Sequence, residues 1–287
     1  MRVRFLVAAL AALLSLPALA SAAGPVTIVA AENFYGDVAQ QIGGADVKVT
    51  SILSNPDQDP HLFEASPAVG RALSGARIVV YSGIDYDPWM EKLLAAAKSA
   101  NRQVIVVADL RGHKSGDNPH VWYDPDTMHA FAKALADRLG EVDPANKAAY
   151  QERLEAFQRS VRPIAAKVAA LRKRLAGTPV TATEPVFGYM LDALGTPVRN
   201  QSFQLSVMNN AEPSASDVAA FENDLKQHRV KLLIYNGQAS DPVAERMLKL
   251  AKASNIPVVA VTETEPPGKS WQGWVMSELD AVAEALR

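Results

Sequence analysis

Apolar positions recur along this chain at two rhythms. Short apolar runs at 26–31, 47–53, 78–81 and 104–108 have the length and content of buried strands. Helical spacing follows each of them, over 32–42, from Pro67, over 88–97, and from Asp124-Pro125 to about Leu139. That is four β-α units. A different stretch comes next. Over 143–177 the apolar side chains are Tyr150, Leu154, Phe157, Val161, Ile164, Val168, Leu171 and Leu175. Steps of four and three keep them on one helical face. Asp143 with Pro144 is a start signal, and Gly177 with Pro179 is a stop. The predicted helix is about 50 Å long at about 1.5 Å per residue. Pro163 removes one hydrogen bond from it and predicts a kink.

Beyond this helix the first pattern restarts. Strands are expected at 180–183, 198–203, 232–235 and 256–261. Helices are expected over 185–194, from Ser214 or Ser216 to Gln227, from Asp241-Pro242, and over 271–286. The two halves also match at their starts. Ala31-Glu32-Asn33-Phe34-Tyr35-Gly36 aligns with Thr183-Glu184-Pro185-Val186-Phe187-Gly188, and Ile42-Gly43 with Leu194-Gly195 at the same offset. The expected fold is α/β: two parallel-sheet β/α lobes, residues 23–142 and 178–287, joined by one long rigid helix, 143–177. Ligands of parallel sheets sit beyond the carboxyl ends of the strands. Two lobes joined in this way face each other across a cleft, so the loops just after strands are where chemistry is sought.

The first residues change the picture of where the chain works. Arg2 and Arg4 precede an apolar run from Phe5 to about Leu19, and Ala20-Ser21-Ala22-Ala23 follows. This is the pattern of a secretory signal peptide, residues 1–22. Without it the charge is near −4, which argues against nucleic acid as a partner. The chain has no cysteine, so no thiol stands after the signal to carry a lipid. A periplasmic protein with no lipid anchor is expected.

Few residues in the strand-end loops carry metal-ligand chemistry. His61 lies in Asp-Pro-His-Leu-Phe-Glu, and His120 in Asn-Pro-His-Val-Trp-Tyr-Asp-Pro. Proline restricts the backbone on entry to each histidine, which pre-sets a ligand. His129 and His228 fall on or at the end of predicted helices and are expected to face solvent. His113 sits beside Lys114, whose ammonium disfavours a cation. In the second half, Glu184 follows the first strand directly. Glu263 and Glu265 follow the last, in Thr-Glu-Thr-Glu-Pro-Pro-Gly. Glu32 is the first-half counterpart of Glu184 and belongs near the cleft mouth, where it serves as a partner of a histidine ligand or as a fifth ligand.

These motifs, in this order around a long helix, resemble the metal-binding solute-binding proteins of zinc and manganese ABC importers. The resemblance covers nearly all of the mature chain. It implies a two-lobed fold joined by a rigid helix, and metal ligands at His61, His120, Glu184 and Glu263. The family's fourth ligand is usually Asp, so Thr262-Glu263 is a departure, and Glu265 is its competitor. It implies no enzyme activity, a cargo of Zn2+ or Mn2+ with Fe2+ as a further option, and a membrane permease as partner. A metallochaperone is a second expected partner, and the carrier is expected to be a monomer. Two neutral imidazoles and two carboxylates make a neutral site around a divalent ion, so burial is tolerable. Two chelating carboxylates suit manganese or iron, and two monodentate ones suit zinc. The alternatives are a metal-dependent hydrolase and a carrier of a larger ligand such as a siderophore. Against the hydrolase, the sequence lacks H-E-x-x-H, G-x-S-x-G and a phosphate-binding glycine loop.

Overall fold

The computed structural model describes residues 24–55, 63–238 and 241–287. The signal segment and His61 fall outside the described residues. The elements are β1 (Val26–Glu32), α1 (Asn33–Gly43), β2 (Val47–Leu53), α2 (Pro67–Gly75), β3 (Ile78–Tyr81), α3 (Pro88–Ala96), β4 (Gln103–Val106) and α4 (Thr127–Val142). Then come α5 (Lys147–Ser160), α6 (Arg162–Leu175), β5 (Val180–Ala182), α7 (Gly188–Leu194), β6 (Val198–Arg199) and α8 (Gln201–Met208). The chain ends with α9 (Ala215–Lys226), β7 (Leu233–Asn236), α10 (Pro242–Ala253), β8 (Val258–Val261) and α11 (Trp271–Ala285).

Among the described residues there are two four-stranded parallel sheets, ordered β2-β1-β3-β4 and β6-β5-β7-β8. The orders are the same, as the sequence repeat predicts. Each first strand, β1 or β5, lies inside its sheet and carries its glutamate at or just beyond its end. Burial follows the parallel rule, with β3 covered throughout and β5 likewise.

The long helix differs from expectation. A 3-10 turn at Pro144–Asn146 precedes α5, and α5 and α6 meet at Val161. Pro163 has no N–H, and the backbone turns over Val161 with an Ile164 N–H bond to the Val161 carbonyl at 3.0 Å. Asp143 does not cap the helix through its backbone-facing side chain. Its carboxylate accepts from Asn146 Nδ2 at 2.8 Å and from Tyr150 Oη at 2.7 Å, which holds the turn instead. The expected strand over 198–203 is also shorter. Asn200 takes a left-handed φ of 61°, ends β6, and starts α8.

The apolar face of α5 and α6 is covered as the periodicity predicts, with Tyr150, Leu154, Phe157, Val161, Ile164, Leu171 and Leu175 buried. These residues join one continuous core that contains Phe34 and Trp122 from the first lobe and Phe187 and Trp274 from the second. Phe34 and Trp274 rings lie 5.8 Å apart, Tyr123 and Trp274 5.3 Å, and Tyr123 and Phe187 4.9 Å. Smaller cores fill the outer part of each lobe. The lobes therefore share packed aromatic surface, and wide separation would expose it.

Candidate metal site

Strand ends bring the expected chemistry together. His120 stands in the loop between β4 and α4, immediately before a 3-10 turn at Val121–Tyr123, and is fully buried. Asn118 lies two residues earlier. Its Oδ1 accepts from the His120 ring Nδ1 at 2.6 Å, and its Nδ2 donates to the Pro185 carbonyl at 2.7 Å. An amide oxygen only accepts, so His120 carries a proton on Nδ1, and in the neutral ring the lone pair is then on Nε2. Nε2 lies 3.5 Å from Glu263 Oε2.

Glu263 follows β8 and is almost fully buried. Gln238 Oε1 accepts the N–H of Glu263 at 2.5 Å and that of Thr264 at 3.0 Å, which fixes the loop. Glu184 follows β5 and leads into the 3-10 turn Pro185–Phe187. Asn236, the last residue of β7, joins the two glutamates. Its Nδ2 donates to Glu263 Oε1 at 2.6 Å and to Glu184 Oε1 at 3.2 Å. One neutral amide thus separates two buried carboxylates, a role that sequence reading missed. Nothing in the local pattern marks Asn236, because its partners lie 52 and 27 residues away.

Glu265 lies two residues further along the same loop. Its backbone is bonded to Asn33, and burial, followed by the Asp37 carboxylate, pushes its own carboxyl up to about 8. Glu32 is fully buried at the end of β1 and faces Asp87. Burial, with Asp87 beside it, holds Glu32 well above the usual carboxylate range. Asp87 accepts the N–H groups of Ser82 at 2.7 Å and Gly83 at 2.9 Å, and burial lifts it to about 6. Tyr86 lies between these groups, its ring 5.8 Å from that of His120. Burial and the carboxylates of Glu263 and Glu32 push the Tyr86 hydroxyl up.

The remaining histidines lie elsewhere. His113 Nδ1 is 3.6 Å from Asp117, and its ring packs edge-on against Tyr189 at 5.3 Å. His129, in the first turn of α4, bonds the Pro125 carbonyl just before that helix, and His228 is exposed after α9. Among the described residues, no three His, Asp or Glu side chains are already gathered at metal-ligand spacing. His120 and Glu263 approach each other across the lobes, and Asn236 links Glu263 to Glu184.

Frame and cluster define the class: a two-lobed binding protein with a polar site between its lobes. The model of the family "Zinc-uptake complex component A periplasmic" (ZnuA) matches residues 28–285, and the chain belongs to that family. It is therefore an extracytoplasmic binding component of a metal-ion ABC importer and not an enzyme, and the hydrolase alternative falls. The chain is 25% identical to the metal ABC transporter substrate-binding lipoprotein ScbA of Streptococcus cristatus, over 99% of this chain and 98% of that one. It is 26% identical to the manganese ABC transporter substrate-binding lipoprotein PsaA of Streptococcus pneumoniae, over 90% and 88%. In fold it is similar to the periplasmic zinc binding protein TroA from Treponema pallidum, with a TM-score of 0.78, 20% identity, and 92% and 99% of the chains covered. A Mn-bound periplasmic metal binding protein from Candidatus Liberibacter asiaticus superposes at a TM-score of 0.74 with 16% identity, covering 91% and 100%. The class of cargo is a divalent transition metal, and the partner of a binding component is its membrane permease. Among the described residues no helix is long and apolar enough to cross a membrane.

Proposed function

We propose that this chain captures a divalent transition metal between lobes 23–142 and 178–287, with His61, His120, Glu184 and Glu263 as its ligands. The observation that carries the reading is the approach of His120 Nε2 to Glu263 Oε2 at 3.5 Å, both groups buried and on opposite lobes. A neutral imidazole with its second nitrogen held by an amide oxygen is the form that binds metals. Asn236, linking Glu184 to Glu263, supports their joint action on one ion. Glu263 takes the fourth place over Glu265, whose carboxyl faces Asp37.

The ion is Mn2+ or Fe2+ where both carboxylates chelate, and Zn2+ where each binds through one oxygen. Manganese in the name of PsaA and zinc in that of TroA support this range. The carrier acts as a monomer in the periplasm and hands its ion to the permease, with a metallochaperone as a further partner. The curated relatives are named lipoproteins, which weighs against an unanchored carrier, whereas the absence of cysteine supports one.

Equilibrium titration of the purified mature protein with Mn2+, Zn2+ and Fe2+ tests this reading. One ion bound per chain at micromolar concentration or below is expected. No uptake of any of the three at micromolar concentration would overturn it.

A further inference from the structure

The loop that carries Glu263 is fastened to the opposite lobe by a residue outside the ligand set. Asn33 opens α1 in the first lobe. Its Nδ2 donates to the Glu265 carbonyl at 2.7 Å, and its Oδ1 accepts the Glu265 N–H at 3.0 Å. One planar amide thus occupies both backbone groups of a residue 232 positions away. A carboxylate cannot donate and a hydroxyl cannot span both groups, so the pair of bonds requires an amide. Two further bonds reinforce the link. Tyr123 Oη donates to the Thr262 carbonyl at 2.7 Å, and Asp37 Oδ2 accepts the Trp271 N–H at 2.9 Å.

The same loop is also bonded to its own lobe. Gln238 holds the N–H groups of Glu263 and Thr264, and Glu278 Oε1 accepts that of Thr262 at 3.1 Å. Residues 262–265 are therefore one tie between the lobes, beside the shared aromatic core. His120 is on one side of that tie, and Glu263 is inside it. An ion held by both leaves only when His120 and Glu263 separate, and the Asn33 bonds oppose that movement.

We propose that Asn33 is a positioning residue, a catch that holds the Glu263 loop against the first lobe and slows departure of the bound ion. This rests on Glu263 being a ligand. Asn33 itself touches neither His120 nor Glu263 among its hydrogen-bond partners. The bonds join the two sides that part when the ion leaves, so their effect is read on dissociation, where most affinity differences between related complexes lie. Two neutral hydrogen bonds lost from the closed form correspond to about tenfold faster release.

The test is stopped-flow transfer of Zn2+ from the loaded full-length mature protein to a fluorescent chelator. Asn33→Ala is expected to release zinc about tenfold faster, with the association rate within about twofold of the parent. A release rate within about twofold of the parent, or an association rate slowed as much as release is quickened, overturns the proposal. Melting of the metal-free variant shows whether it folds. Should it not, Asn33→Asp keeps the acceptor and loses the donor, and release about threefold faster is expected. Unchanged release in that variant overturns the proposal equally. Glu263→Ala separates the two readings. Zinc affinity kept in Glu263→Ala refutes the ligand, whereas affinity lost there with release unchanged in Asn33→Ala refutes only the catch.

Discussion

The side-chain oxygen of Asn118 accepts a hydrogen bond from the Nδ1–H of His120 at 2.6 Å. The bond decides which imidazole nitrogen can bind a metal. Asn118 cannot rotate to release it, because its Nδ2 is committed to the Pro185 carbonyl beside Glu184. Gly188 permits that approach, since a Cβ there would stand 2.7 Å from Asn118 Nδ2. Replacing Asn118 with alanine frees the ring to turn and to change tautomer. Metal affinity is expected to fall about 10- to 100-fold, with the melting temperature of the metal-free protein changed far less. Titration with Zn2+ and Mn2+ checks this, and an affinity equal to the parent's would contradict it.

Asn236 supplies a donor shared by two buried carboxylates. Asn236→Ala removes that donor from both carboxylates. Unfolding of the metal-free form is expected to become easier by about 1–3 kcal/mol. With Glu184 and Glu263 as the proposed ligands, saturating metal would neutralise the same carboxylates, so the loss is expected to shrink in its presence. Urea denaturation with and without Zn2+ measures both quantities.

Glu278 gives a dependence on pH with a defined sign. It is buried beneath the Glu263 loop, and burial lifts its carboxyl to about 8 against the favourable bonds of Tyr123, Thr262 and Trp274. In the unfolded chain a glutamate titrates near about 4.3. Between those values the folded protein keeps a proton that the unfolded chain has released. Its contribution is complete below about 4.3 and is lost as pH rises through about 8. Glu265, raised to about 8 chiefly by burial, acts in the same direction. The urea midpoint of the metal-free protein is expected to fall from pH 5 to pH 8.5. Glu278→Gln keeps an acceptor for Thr262 and Trp274 and is expected to flatten that fall. An equal slope in both proteins would contradict the assignment.

A core shared by both lobes predicts that they unfold together. Trp274 packs against Phe34 of the first lobe and against Tyr123. Trp274→Ala is expected to cost about 3–5 kcal/mol and to weaken the contact between lobes. Calorimetry of the parent should show one transition, and two well-separated transitions would contradict a shared core.

Much of this architecture is legible in the sequence because it is local. Strand runs and helix starts lie within short windows, and the repeat that relates Glu32 to Glu184 shows when two such windows are compared, so the two sheets follow from them. The proline at 163 announced an interruption, but not that α5 and α6 meet at Val161. The end of β6 was missed because Asn200 turns left-handed while its side chain bonds Thr181 and Asp224 far along the chain. The same reason hides Asn236 and Asn33, whose meaning lies in partners across the fold. Glu263 and Glu265 cannot be ranked by spacing. What favours Glu263 in the proposed site is its neighbour: His120 Nε2 stands 3.5 Å from it, whereas the Asp37 carboxylate acts on Glu265.

The central claim is one ion held jointly by His120, Glu184 and Glu263 across the lobes. Titration of the parent and of the three single alanine variants with Zn2+ and Mn2+, followed by absorption of the Co2+ forms, tests it most directly. Each substitution is expected to lower affinity at least about tenfold and to change the Co2+ spectrum, since each removes a coordinating atom. A variant that folds and keeps both the parental affinity and the parental spectrum would contradict the claim for that residue. The same result in all three would place the metal elsewhere.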